Sequence, residues 1–185
     1  MQKILTLTSS DGLKFTIDSK SAERSGLLRG LIQDYSEDTD IPVPDIRGEV
    51  LKKVIDWLVH WKDEEPKSIP KPLPSADLKD VTELWNVEFI EATDLPTNYD
   101  IINAANYMDI KSLLELSCCR VASMMKNKSV EQIRELFNIP IDMTEEEQLK
   151  MEEEYRQEKL KKQEEKRMEE ENKQKLENLS LSNNN

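Results

Sequence analysis

Residues 97–139 read TNYDIINAANYMDIKSLLELSCCRVASMMKNKSVEQIRELFNI, a stretch with no glycine and no proline. Ile110, Leu113, Leu114, Ser117, Cys118, Val121, Met124 and Met125 recur in it at three- and four-residue steps, the spacing of one apolar helix face. Asp109 is placed to cap that helix, with Met108 before it and Leu113 after it as a hydrophobic staple. Thr97 followed by Asp100, and Ser129 followed by Gln132, are two further start signals. The stretch therefore predicts three helices joined by short turns. The last carries Ile133, Leu136 and Phe137 on one side.

The flanking sequence divides into a compositionally ordinary part and a charged tail. Of the 185 residues, 37% are hydrophobic and 35% charged. Residues 1–143 carry a net charge of −8 and residues 144–185 a net charge of −4. Both signs disfavour nucleic acid or an anionic membrane, since neither part can release counterions from a phosphate backbone. No window approaches the roughly 18 consecutive apolar residues of a membrane span. The opening MQKILTLTSSDG alternates instead of forming an apolar signal core, so secretion is not expected. Cys118 and Cys119 are neighbours, where a disulfide is badly strained, and read as two reduced thiols.

Residues 3–8, KILTLT, alternate with Ile4 on the apolar face. After the turn Ser9-Ser10-Asp11-Gly12, KFTID alternates again with Phe15 and Ile17, which predicts a β-hairpin. A helix is expected over residues 21–35, with Leu27, Leu28, Leu31 and Ile32 at helical steps. Gly26 and Gly30 inside it weaken the helix or permit a close approach. After an acidic loop at residues 36–40, Ile41-Pro42-Val43-Pro44 suits only a short edge strand. Residues 47–62 form a second amphipathic helix. Four of the eight prolines lie between Pro66 and Pro74, so residues 63–74 predict a mobile linker. A helix then starts near Trp85.

Beyond Met143, Thr144 and Glu147 form a capping box ahead of a run of Glu, Lys, Gln and Arg. Its apolar residues are too sparse for a coiled-coil seam. Five Glu-to-basic pairs at i,i+4 (Glu146/Lys150, Glu152/Arg156, Glu158/Lys162, Glu169/Lys173, Glu171/Lys175) support a solvated helix by about 0.2–0.5 kcal/mol each. Residues 180–185 are expected to be a disordered end.

Catalysis has little to stand on. His60 is the only histidine, and spacing offers it no partner as a general base. One histidine and two adjacent cysteines fall short of a four-ligand metal site, and Cys118 reads as a small core residue. No glycine-rich phosphate loop is present, because Gly26 and Gly30 lie inside a helix. No enzyme, cofactor or metal is expected. Binding is better supported: Leu116, Met124, Met125, Ile133, Leu136, Phe137, Ile139 and Ile141 cannot all face one small core. Each side chain left exposed forgoes about 1.5–3 kcal/mol of burial. These helices either pack back on the N-terminal half or make a groove for a partner.

AANYMDIKSLLEL, CxxVAxMM and SVEQIRELFNI together resemble the S-phase-kinase-associated protein family, with SSDG, PVP and VLKKVIDW plus His60 extending the likeness over about residues 1–143. Members of that family are adaptor subunits of SCF (Skp–cullin–F-box) ubiquitin ligases. The resemblance implies an α+β fold: a BTB/POZ-like domain, a small β-sheet with helices, followed by a C-terminal helical extension and here a charged tail. It divides the chain into a BTB/POZ-like part at 1–62, an insert at 63–80, remaining BTB/POZ helices at 81–115, F-box-binding helices at 116–158 and a tail at 159–185. It implies a cullin held at Asn106 and Tyr107. It also implies an F-box protein held through Leu116, Ile133, Phe137, Ile139 and Tyr155.

Elongin C is similar only in the first half. A BTB transcription factor would lack the helical extension. A cullin-independent structural partner of an F-box protein is the alternative reading. Weak self-association is compatible with either, and the expected location is cytoplasmic and nuclear. The sequence departs from the family where Tyr155-Arg156-Gln157-Glu158 replaces an Asn-x-Trp-Cys-like element, and where Asn98 and Asn103 replace apolar residues.

Overall fold

The computed structural model describes residues 3–34, 40–140 and 144–182, and it divides into two units, Met1–Ser129 and Val130–Asn185. The first unit starts with β1 (Ile4–Ser9) and β2 (Lys14–Asp18), antiparallel, with Leu5 opposite Ile17 and Leu7 opposite Phe15. Gly12 makes the turn at φ +79°, a conformation that a side chain would strain. The core face of β1 is Leu5, Leu7 and Ser9; Ile4, expected on that face, is 61% exposed. Two leucines outweigh one isoleucine at the strand's frayed start, and the register follows them. The third strand, β3 (Asp40–Val43), runs parallel to β1 on its free side, giving the order β2-β1-β3. It is the short edge strand that Pro42 and Pro44 require.

The helix expected over 21–35 is two helices, α1 (Ser19–Ala22) and α2 (Gly26–Asp34); Tyr35 and the loop after it lie outside the described residues. Asp18 caps α1 by accepting from the Ser21 backbone N–H. Ser25 caps α2, its hydroxyl accepting from Leu28 N–H at 3.2 Å. Two other donors of that first turn leave the helix: Gly26 N–H goes to Asp109 O and Leu27 N–H to Met108 O, while Arg29 N–H makes the first intrahelical bond, to Ser25 O. The Ser25 hydroxyl itself donates to Met108 O at 2.6 Å. A turn more than eighty residues downstream thus completes the start of α2.

α3 (Gly48–His60) buries Val50, Leu51, Val54, Ile55, Trp57 and Leu58. Its Arg47 cap position supplies no side chain; Asp11 of the hairpin turn accepts from Gly48 N–H at 2.9 Å instead. The Ser9 hydroxyl and that N–H hold the Asp11 carboxyl below the usual range. Trp57 gathers Trp61, Trp85 and Phe89 around it at 5.5–6.0 Å between ring centroids.

The proline-rich segment expected to be a mobile linker is laid against the unit. Ile69 and Leu73 pack on the core, Arg24 bonds the carbonyls of Trp61 and Glu64, Lys71 pairs with Glu115 at 2.8 Å, and Lys126 donates to Leu73 O at 2.7 Å. A 3₁₀ turn (Leu78–Asp80) leads to α4 (Leu84–Glu91).

α5 (Leu95–Tyr107) starts earlier than Thr97, because Asp94 caps it through Thr97 N–H at 2.9 Å and Pro96 sits in its first turn. α6 (Lys111–Met125) is not capped by Asp109: Ile110 occupies the cap position, and Asp109 adopts φ +50° to make the turn. Its side chain lies over Gly26, where an added Cβ would meet Asp109 Oδ2 at 2.0 Å and Asp109 Cβ at 2.9 Å. Asn98, which departs from the apolar residue implied by the resemblance, is buried on α5 and donates to Ser117 O of α6 at 3.2 Å. α6 runs unbroken through the boundary expected at 115/116, and the first unit ends at Ser129.

The second unit holds α7 (Val130–Phe137), which starts just after Ser129 as expected, and α8 (Glu145–Ser182). Thr144 and Glu147 make the capping box reciprocally, Thr144 N–H to Glu147 Oε2 at 2.9 Å and Glu147 N–H to Thr144 Oγ1 at 3.4 Å. The Thr144 N–H, together with the Thr144 hydroxyl donating to the same oxygen at 3.0 Å, holds the Glu147 carboxyl below its ordinary pKa. Of the expected pairs, Glu158/Lys162 forms at 2.6 Å; the side chains of Glu169/Lys173 and Glu171/Lys175 lie outside those described. The helix continues to Ser182, through part of the end expected to be disordered, so its 38 residues span about 57 Å.

Gly26 and Gly30 separate cleanly by experiment. Gly26→Ala is expected to cost about 1–3 kcal/mol, because the α5–α6 turn must shift to admit a methyl group. Gly30 has no atom within 4 Å of an added Cβ, so Gly30→Ala should stabilise by about 0.5–1 kcal/mol through helix propensity. Urea denaturation of both variants checks this, and equal effects would remove the packing argument. Truncation after Glu158 should leave the melting temperature of the first unit unchanged, since every described side chain from Thr144 to Met168 is exposed.

Candidate partner surfaces

At the end of α5, Ala104 and Ala105 turn into the core and leave Asn106 and Tyr107 exposed, Tyr107 by 42%. The two residues expected to hold a cullin therefore stand together on one accessible helix end. Beside Tyr107 lies a cleft of about 270 Å³ floored by Ile46, Val50 and Ala104. Asn103, Asp100, Asp45 and Arg47 form its rim, with Arg47 and Asp100 paired at 2.5 Å. Asp100, through its hydrogen bond and then its charge, pushes the already high Arg47 pKa higher. An exposed pair of this kind adds little to stability. What it supplies is a fixed polar edge next to an aromatic ring. Sequence reasoning missed this rim, although Asp100, Asn103 and Tyr107 follow one another at three- and four-residue steps along α5.

α6 corrects the expected apolar face. Leu116, expected to touch an F-box, is fully buried and belongs to the core with Leu113 and Ser117. Cys118, expected in the core, is exposed, and it is Cys119 that is buried. The three- and four-residue steps from Ile110 to Met125 combine two faces into one. Leu113, Leu116, Ser117 and Cys119 point inward, while Leu114, Cys118, Val121 and Met125 form an outward stripe, half-buried to exposed. Burial pushes the Cys119 thiol pKa up, which keeps it a thiol at neutral pH. The outward stripe is what the sequence reading lacked, and the position of Leu116 between Leu113 and Ser117 on the inner face was the available signal.

In the second unit α7 is strongly amphipathic, yet none of its residues is buried. Ile133, Leu136 and Phe137 are half-buried on one side, while Val130 is 59% and Ile139 49% exposed. Asn138 at φ +51° stops the helix, and Ile139 N–H returns to Arg134 O at 2.9 Å. On α8, Tyr155 is 68% exposed. Ile133, Phe137, Ile139 and Tyr155 are thus accessible to a partner in whole or in part. Ile141 lies outside the described residues.

His60, the one imidazole, stacks flat on Trp85 at 3.5 Å between centroids and meets Trp61 edge-on, as a structural side chain does. Among the described residues no group of His, Cys, Asp and Glu is placed to hold a metal ion.

Residues 3–63 match the family model of the Skp1 family tetramerisation domain, and residues 111–159 that of the Skp1 family dimerisation domain. The S-phase kinase-associated protein 1 homolog of Tetrahymena thermophila is 39% identical over 138 residues, 75% of this chain and 83% of the relative. This chain belongs to the Skp1 family. The E3 ubiquitin ligase complex SCF subunit sconC of Aspergillus clavatus is 42% identical over 158 residues, 84% of this chain and 98% of the relative. The subunit of the same name from Neosartorya fischeri is 43% identical over 154 residues, 82% of this chain and 96% of the relative. Between the two matched Skp1 segments lie the proline-rich insert, α4 and α5, and beyond the second lies α8 from residue 160 on.

The two cysteines give a direct check on the orientation of α6. Under native conditions a maleimide should modify one thiol per chain, at Cys118, and Cys118→Ser should abolish that reaction. Mass spectrometry of peptides reads the outcome, and modification of both thiols at equal rates would contradict the burial of Cys119.

Proposed function

We propose that this Skp1-family chain is the non-catalytic adaptor of an SCF-type E3 ubiquitin ligase, holding a cullin on one surface and an F-box protein on another. Its relatives named as SCF subunits support that role. The observation that carries the F-box half is α7, an amphipathic helix that buries none of its own residues and so has an apolar face to offer. The outward stripe of α6, Leu114, Val121 and Met125, is the second apolar surface, and it replaces Leu116 in the proposed contact set. Ile133, Phe137, Ile139 and Tyr155 complete that set. For the cullin, the contact proposed is the end of α5, Asn106 and Tyr107, where an amide and a ring stand on small buried residues.

The work is geometric. By binding the two partners at fixed places, the adaptor positions a receptor-bound substrate near the ubiquitin-loading end of the ligase, and the acyl-transfer chemistry belongs to other subunits. The reading includes no enzymatic activity of the chain's own. It places the chain in the cytoplasm and nucleus, where two unpaired thiols are stable.

Affinity purification with mass spectrometry should recover a cullin and F-box proteins together. Asn106→Lys with Tyr107→Lys should remove the cullin and leave the F-box proteins. Phe137→Ala should do the reverse, weakening F-box binding by about 2–4 kcal/mol, the loss of a buried anchor, with the circular dichroism spectrum unchanged. Recovery of F-box proteins without any cullin would favour a cullin-independent structural role. Full-strength F-box binding by Phe137→Ala would remove α7 from the contact.

A further inference from the structure

We propose that the F-box protein reaches beyond its F-box helices into an apolar cleft between α6 and the proline-rich segment 66–74, seating there a large apolar side chain flanked by acidic residues. The proposal rests on the reading that this chain binds F-box proteins at all. The cleft, about 560 Å³, lies wholly within the first unit. Leu114, Cys118, Cys119 and Ala122 line it from α6, and Ile69 and Leu73 from the facing segment. That volume falls within the range that protein pockets use for a sizeable apolar group.

Two clasps hold the cleft open. The Lys71–Glu115 ion pair, at 2.8 Å, ties one point of the segment to α6, and Lys126 donating to Leu73 O at 2.7 Å ties another. Between the clasps, Ile69 and Leu73 are half-buried, packed on the core on one side and open to the cleft on the other. Cys118 is exposed and Leu114, Ala122, Ile69 and Leu73 are half-buried, so the cleft presents an apolar wall that a partner's side chain can cover.

Continuity and charge identify the occupant. Leu114 and Cys118 belong both to the cleft and to the outward stripe of α6 proposed for the F-box, so a partner seated on the stripe borders the cleft. Lys71, Lys111 and Glu115 line the cleft, Lys126 reaches its edge at Leu73 O, and Glu115 is already paired with Lys71. Lys111 has no carboxylate partner among the described residues. A locally basic rim on a chain of net charge −12 suits a ligand with acidic flanks. A second copy of the chain fits worse, because a symmetric pairing would set these lysines against each other.

The test uses the full chain with one F-box protein recovered in the purification above, taken whole and cut down to its F-box. The whole protein should bind on the order of tenfold more tightly than its F-box alone, about what one well-placed anchor supplies. That advantage should disappear in Ile69→Asp and in Lys111→Glu, while both variants bind the isolated F-box as the unmodified chain does. Lys111 is exposed at the start of α6, so its variant guards against Ile69→Asp acting through the fold. The proposal is overturned if the variants leave the whole protein's advantage intact, or if they weaken both ligands equally. Binding of neither ligand by the unmodified chain would instead sink the F-box reading itself.

Discussion

The start of α2 is completed by the turn between α5 and α6, and the first unit is built around that contact. Four backbone N–H groups at a helix start have no partner within the helix, and leaving one buried costs about 1–3 kcal/mol. Here the Ser25 hydroxyl takes that of Leu28, the carbonyls of Met108 and Asp109 take those of Leu27 and Gly26, and Ala22 O takes that of Ser25. The contact requires three things at once: a hydroxyl at Ser25, no side chain at Gly26, and a left-handed Asp109. It ties the hairpin half of the unit to its helical half. The same turn ends α5, so it also sets where Asn106 and Tyr107 emerge.

That coupling explains which parts of the fold were legible in the sequence. The hairpin, the edge strand, α3 and the capping box of α8 are local, and alternation, proline placement and the Thr144–Glu147 spacing sufficed for each. The break between α1 and α2 was written as Ser25-Gly26, but its cause lies in a turn more than eighty residues away, which no window reaches. Asp109 looked like a helix cap because aspartate is a good one. Its actual use, a positive φ beside Gly26, depends on a neighbour in space. The proline-rich segment was read as free for the same reason: the clasps at Glu115 and Lys126 are tertiary contacts.

The candidate surfaces show the limit of periodicity more sharply. α6 is apolar around most of its circumference, so three- and four-residue steps fit two faces equally well. Only the packing of Leu113 and Leu116 on the unit decides which face is inside. The reading consequently placed Leu116 outside and Cys118 inside, each the reverse of what the structure holds. The exposure of Asn106, Tyr107 and Ile139 escaped that ambiguity because each sits at or beside a helix end, where the chain has less room to hide a side chain. Exposure is thus easiest to read where a helix stops.

The tryptophans carry a consequence for anyone measuring this protein. All three, Trp57, Trp61 and Trp85, lie in one aromatic cluster in the first unit. Their fluorescence therefore reports that unit alone. Far-ultraviolet circular dichroism sums over every helix, and α8 contributes 38 helical residues whose described side chains bury nothing. A helix held by backbone bonds and exposed ion pairs unwinds gradually and responds to ionic strength, whereas the packed unit melts cooperatively. The two optical signals then follow different transitions in the same sample, and their disagreement is a property of the architecture, not a sign of a folding intermediate.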